Sequence, residues 1–337
     1  MNLPLDLSTP NPASPRFIDQ YGDASRLPSQ SAQEELAAGL RAPQASIAPK
    51  YFYNALGSRL FEAITALDEY YPTRTEAGIF DKASADIAKA IAASGITHPC
   101  LIDLGAGNCA KSARLIPHLQ PTQYVPVDIS VDFLRGAAEQ IQTTFPMLDI
   151  VGIGMDFSKG LTLPPAVQKQ DRVFFYPGSS LGNFPPIEAL AFLQQVSDAD
   201  KGNARGLLLG IDLVKDKSVL EAAYDDALGV TAAFNKNVLL HVNTLMGSAF
   251  DVHQWRHVAL FNEAESRIEM HLQAECNLTV RWPGGERRFL AGERIHTENS
   301  YKFTVDSMTD LLRKAGFSQV RCWTDADEWF AVFWAAV

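Results

Sequence analysis

Five short apolar runs recur through the middle of the chain, each followed by a stretch of helical character. They lie at residues 100–104, 124–128, 150–155, 172–176 and 206–213. Their interiors are continuously apolar, which is the pattern of strands covered on both faces. Strands alternating with helices at intervals of roughly 20–35 residues build βαβ units, and these require a parallel sheet with helices on both sides. FSQVRCWTD and WFAVFWAAV then read as two closing strands, following a helix in SMTDLLRKAGF. The expected fold class is therefore α/β.

Outside this block the rhythm changes. Residues 1–27 are rich in Pro, Ser and Asp and read as a flexible tail. Helices are expected at 30–40, 58–66 and 75–93, the last with Ile79, Phe80, Ile87 and Ile91 at helical spacing. Beyond Lys215, YDDALGVTAAFNKNVLLHVNTLM reads as helix. SRIEMHLQAECNLTVRW and GGERRFLAGERIHTE read as strands around a Gly-Gly turn. A second, α+β unit is expected from residues 28–73 and 214–302, inserted into a sheet domain made of 74–213 and 303–337.

Composition narrows the partners. The net charge of −10 and the lack of a Lys/Arg run repel phosphate backbones, so no nucleic acid is expected. No apolar run reaches the roughly 20 residues of a membrane helix. The N-terminus lacks the basic and apolar regions of a secretory signal. Cys100, Cys109, Cys276 and Cys322 are scattered without a CxxC pair, so no metal site is expected and reduced thiols in a cytoplasmic protein are the simplest account. His253 and His257 lack the glutamate of an HExxH pair and read as ordinary surface or core residues. A small-molecule substrate fits these constraints.

LIDLGAGNCAKSARL is strand, glycine turn and helix. Gly105 and Gly107 let the backbone approach a ligand closely, and the following helix presents free N–H groups. Asp128 ends the next strand, where a carboxylate can accept both ribose hydroxyls of an adenosine cofactor. GAGNCA also satisfies a dinucleotide fingerprint, so a nicotinamide-dependent dehydrogenase and a purely structural turn both stay open. Asp103, before the glycines, could hold a cofactor's amino-acid end, and Asp156-Phe157 could contact adenine. Three carboxylates suit a cationic sulfonium better than a pyrophosphate.

YFYNALGSRLFEAITALDEYYPTRTE, LIDLGAGNCAKSARL, YVPVDIS, FYPGSSLGNF, AYDDALGVTAAFNKN, SRIEMHL, GERIHTENSYKF and the final WTD occur in one order from about Lys50 onward. Together they resemble the histidine-specific Nα-methyltransferases of ergothioneine biosynthesis. The resemblance implies a class I methyltransferase Rossmann-like sheet with a second substrate-binding domain, acting on free L-histidine with S-adenosylmethionine to give trimethylated hercynine. A monomer is compatible with it. It places Tyr70, Gly105, Lys111, Asp128, Asp156 and Phe157 at the cofactor. Gly178, Asn183 and Tyr224 would hold the amino-acid end, with Asn183 and Tyr224 as the catalytic pair. Tyr53, Phe61, Tyr70, Met270, Glu298 and Ser300 would surround the substrate's side chain.

Each assignment has a plainer alternative. Asn183 could merely stabilise its Gly/Pro-rich turn, and Tyr224, read as helical, could be core. Met270 could be core as well, Lys111 an exposed helical lysine, and Tyr71 is easily confused with Tyr70. Glu298 could pair with a surface cation. As an i, i+2 pair on a strand, however, Glu298 and Ser300 share a face and could bond both imidazole nitrogens. The same chemistry on tyrosine or tryptophan remains a rival, as does a binding module that has lost turnover.

Overall fold

The computed structural model describes residues 14–20, 30–157, 160–199 and 205–337. The strands are β1 (Arg16–Asp19), β2 (Cys100–Leu104), β3 (Gln123–Asp128), β4 (Asp149–Gly154), β5 (Arg172–Tyr176), β6 (Arg205–Asp212), β7 (Trp255–Asn262), β8 (Arg267–Ala274), β9 (Leu278–Trp282), β10 (Gly285–Phe289), β11 (Arg294–Tyr301), β12 (Gln319–Thr324) and β13 (Phe330–Ala336). The helices are α1 (Gln30–Arg41), α2 (Ala55–Ile64), α3 (Tyr71–Ala93), α4 (Ala110–Leu119), α5 (Val131–Thr144), α6 (Pro186–Asp198), α7 (Lys217–Ala222), α8 (Val230–Met246) and α9 (Val305–Lys314).

The main sheet has the order β1-β4-β3-β2-β5-β6-β13-β12. Strands β1 to β6 are parallel, and β13 and β12 close the sheet antiparallel. That antiparallel end on a doubly wound sheet is the class I methyltransferase arrangement expected above. Both faces are covered, as the apolar strands require. Leu101, Val173 and Leu208 pack with α3, α4 and α5, while Ile102, Phe174 and Leu207 pack with α6 and α9. The chain reverses its order about β2, which opens a crevice at the C-terminal ends of the strands.

A third cluster joins Leu36, Phe52, Phe234, Trp255, Leu272 and Ile295. It belongs to α1, α2, α8 and a three-stranded antiparallel sheet of order β11-β8-β7, beside the β9–β10 hairpin. Strand β7 is absent from the sequence expectation. His257 breaks its hydropathy alternation, yet it is buried because both ring nitrogens are bonded, to Asn235 and to the Tyr224 carbonyl.

Two further expectations are corrected. Part of the expected tail is structured, since Arg16–Asp19 pairs with β4. Arg16 bonds Asp149 at 2.7 Å, and Phe17 lies against Gly152, where a Cβ would come within 2.6 Å of the ring. An edge strand needs no continuous apolar run, so the composition hid it. Residues 1–13 and 21–27 lie outside the described residues. Helix α8 starts at Val230 rather than at Tyr224. Gly229 adopts φ +75°, and Asp226 accepts the Val230 and Thr231 amides, which fixes the start of the helix. Tyr224 therefore sits in the turn after α7.

The closing strand depends on one small residue. Trp334 lies across Gly206, where a Cβ would fall 2.1 Å from the ring, and its Nε1 donates to Ser94 Oγ at 3.1 Å. Gly206→Ala is expected to destabilise the protein by about 1–3 kcal/mol through overpacking, read as a lower urea midpoint. An unchanged midpoint would show that the indole moves aside freely.

Candidate active site

A cavity of about 720 Å³ opens at the C-terminal ends of β2 to β5, beneath α1, α2 and β11. Its sheet side is built by the glycine loop. Gly105 and Gly107 adopt φ +70° and +53°, and no atom lies within 4 Å of where a Gly105 Cβ would stand. That bare backbone forms a cradle a side chain would fill. Gly105 and Ala106 donate to the Val127 carbonyl, which pins the loop to β3. Asp128 accepts from Gly107 N and Ser130 N at 2.9 Å, so one carboxylate both shapes the loop and faces the cavity. Burial pushes its pKa up, while those amides pull it down. Asp156 and Phe157 continue the wall beyond β4, where Phe157 meets Tyr176 edge to face.

The opposite side comes from the second unit. Tyr53 and Phe61 line it and pack edge to face, 5.9 Å apart. Asn183 ends a 3₁₀ turn after β5, and its side chain has no protein partner among the described residues. Glu298 enters from β11, past a register shift that follows His296. Its carboxylate makes no hydrogen bond or ion pair among the described residues. Burial pushes its pKa up to about 8, against a pull from Lys302.

Other expected residues stand behind these walls. Tyr70 meets Phe61 and Tyr224 edge to face. Tyr224 OH donates to Ser300 Oγ at 2.8 Å. Gly178, at φ +78°, donates its N–H to Glu76 at 2.8 Å, and Glu76 pairs with Lys111 at 2.6 Å. Lys111 is thus tied to the turn that carries Gly178, and is not a free surface lysine. Tyr71 is distinct from Tyr70: its hydroxyl bonds Asp212 and Lys215.

Two placements differ from expectation. Asp103 does not line the cavity. It is buried beneath the loop, with Oδ2 taken by Ser112 and Tyr124, and burial pushes its pKa up to about 6. Its Oδ1 has no partner among the described residues, the kind of orphan acceptor that a ligand ammonium satisfies. Met270 is 2 % exposed and packs in the core of the second unit, in register with Glu298 but not on the cavity surface.

Glu76, Asp212, Lys215 and Lys302 were not picked out from the sequence. Glu76 and Lys302 stand inside the quoted segments YPTRTE and NSYKF, and Asp212 ends a parallel strand, where functional carboxylates gather. Their partners are distant in the chain, so only their positions gave a signal. Among the described residues no group of His, Cys, Asp and Glu could hold a metal ion, and no helix is long and apolar enough to cross a membrane.

Comparison with known proteins bears on the ligand. The family model described as "Histidine-specific methyltransferase, SAM-dependent" matches residues 32–337. The Histidine N-alpha-methyltransferase of Mycolicibacterium smegmatis is 41% identical, covering 90% of this chain and 95% of that protein. The Histidine N-alpha-methyltransferase of Mycobacterium tuberculosis is 38% identical over 87% and 91%. Ergothioneine biosynthesis protein 1 of Neurospora crassa is 29% identical, with 82% of this chain matching 32% of that protein. The bare glycine cradle and the Asp128 carboxylate fit the backbone approach and ribose of S-adenosylmethionine. Since the match runs from α1 to the end of the chain, this protein belongs to the family of S-adenosylmethionine-dependent, histidine-specific methyltransferases.

Proposed function

We propose that the enzyme methylates the α-amino nitrogen of free L-histidine three times in succession, giving hercynine, and that Glu298 is what selects histidine. A single observation carries the choice of substrate. An unpaired carboxylate is held in the cleft, one strand step from the Ser300 hydroxyl and across from an amide with no protein partner. A half-buried carboxylate that faces the cleft with no protein donor calls for one from the ligand, and an imidazole N–H supplies it. Phenol and indole side chains also carry a donor, but they offer no nitrogen lone pair to a hydroxyl.

Residues 28–73 and 214–302 act as the substrate-binding unit on this reading, with residues 74–213 and 303–337 holding the cofactor. When bound, S-adenosylmethionine supplies an electrophilic methyl carbon and a positive charge that favours a neutral amine nearby. Asn183 takes the zwitterion end, donating to the carboxylate and accepting from the amine. Tyr224 and Gly178 border the same end. Tyr53 and Phe61 wall the ring and keep water from the reacting nitrogen. Held in line, such a nitrogen gains up to about 7–11 kcal/mol from orientation alone. An α-amino group titrates near about 8 in model peptides, so its proton can pass to water without a dedicated base. A monomer is compatible with this reading. Four unpaired cysteines suit a reducing cytoplasm.

Mass spectrometry of each free amino acid incubated with enzyme and S-adenosylmethionine should show gains of one, two and three methyl groups on histidine alone. Faster methylation of another amino acid would reassign the substrate. Glu298→Ala should cut kcat/KM for histidine by roughly 5- to 150-fold, the cost of about 1–3 kcal/mol for an unmet polar group. Its affinity for S-adenosylmethionine, measured by calorimetry, should stay nearly unchanged.

The pKa of Glu298 predicts a second effect. Its folded value, about 8, lies above the 4.5 of a free glutamate. The folded state therefore holds this proton more tightly. The stabilisation is complete below the unfolded pKa and is lost as pH rises through about 8. Glu298→Gln should raise the melting temperature of the protein alone at pH 8–9, with the gain shrinking toward acid. Equal melting curves across that range would place the carboxylate in a solvated setting.

A further inference from the structure

Lys302 follows β11 and its side chain is wholly buried. Backbone bonds fix its place: its N–H donates to the Ser266 carbonyl at 2.8 Å, and its own carbonyl accepts from Ser266 Oγ at 3.0 Å. Its ammonium lies 2.6 Å from Asp212 Oδ2, 2.8 Å from Ser300 Oγ and 3.2 Å from Tyr224 OH. An ammonium has three protons and no lone pair. All three protons are thereby committed, and both hydroxyl oxygens must accept from it.

The consequence follows from counting protons. The Tyr224 and Ser300 hydroxyls share one hydrogen bond at 2.8 Å, and with Tyr224 as its donor Ser300 Oγ accepts from both Tyr224 and Lys302. A serine oxygen has two acceptor sites, and both are filled. The one group Ser300 has left to offer is its own proton. Beside it on the strand, Glu298 offers a carboxylate with no protein partner. Glu298 on the cavity wall and Ser300, buried two residues along the same strand, then offer one acceptor and one donor, which is the complement of a neutral imidazole with its single N–H and single lone-pair nitrogen.

We propose that Lys302 is a specificity-determining positioning residue: by donating one proton to each of Tyr224 and Ser300 it turns the Tyr224 proton onto Ser300 and makes Ser300 a donor toward the substrate ring, so that histidine binds as neutral imidazole with its N–H on Glu298 and its bare nitrogen on Ser300. This rests on the assignment of Glu298 and Ser300 to the imidazole. A substrate ring without a lone-pair nitrogen leaves the Ser300 proton unmet, and the tautomer with its N–H toward Ser300 meets an oxygen that cannot accept.

The test is a set of variants read by histidine KM against kcat. Removing Lys302 alone would strand the Asp212 charge, so Lys302→Met is made together with Asp212→Asn and compared with Asp212→Asn alone. Calorimetric binding of S-adenosylmethionine reports folding. Ser300→Ala should raise KM for histidine about tenfold, equivalent to one lost hydrogen bond. Lys302→Met should raise it by a similar factor when Ser300 is present, and add nothing in the Ser300→Ala background. Equal penalties with and without Ser300 would mean a general structural loss, and would overturn the role of Lys302 while leaving the imidazole assignment standing. An unchanged KM in Ser300→Ala would overturn both. A measurement on the unaltered enzyme needs no variant to fold. Nitrogen NMR of ring-labelled histidine, bound with S-adenosylhomocysteine, should show one protonated and one bare ring nitrogen. A doubly protonated ring would overturn the proposal.

Discussion

A single carboxylate at the end of β6 sets the geometry of the site. Asp212 is fully buried and accepts from Tyr71 at the start of α3, from Lys215, and from Lys302 beyond β11. Its backbone N–H donates to Ser179 Oγ, so the turn that carries Asn183 hangs from the same residue. Burying such charges costs several kcal/mol per ion, and the attraction offsets this only when every lone pair is met. Here three donors reach its two oxygens. The arrangement fixes sheet, helix and second unit relative to one another, and losing one partner would leave a buried charge uncompensated.

At and behind the cavity wall, two carboxylates and two ammonium groups sit close together. Asp212 and Glu298 face Lys215 and Lys302. Burial pushes Lys215 down to about 8, with Lys302 adding repulsion and Asp212 opposing it. Burial pushes Glu298 up to the same region. An acid and a base that both drift toward neutrality are what a poorly hydrated cleft produces. A zwitterionic substrate therefore enters a pocket that is polar at specific points and otherwise apolar.

Much of the sheet was readable in the sequence, because strands buried on both faces must be apolar throughout and carry glycine turns at their ends. The second-unit strands flanking the Gly-Gly turn were readable for a similar reason. What escaped detection depends on distant partners. Arg16–Asp19 is a strand because β4 offers an edge and Gly152 makes room for Phe17. Strand β7 hides a buried histidine whose polarity is cancelled by Asn235 and a carbonyl. Tyr224 looked helical because a local pattern cannot register the Asp226 cap. Glu298 and Asn183 followed from resemblance to a family. Lys302 stood in the same segment, but its meaning depends on where three oxygens lie.

The second unit leaves and rejoins the sheet at one point. Leu213 and Phe303 form a bridge, and the Val214 amide donates to the Phe303 carbonyl at 2.9 Å. The ends of a long excursion are thus clasped side by side, and the strand order of the catalytic scaffold is unaffected by what the excursion contains. Residues 214–302 can therefore change in length and content, together with α1 and α2 that pack on them, without disturbing how the sheet is strung.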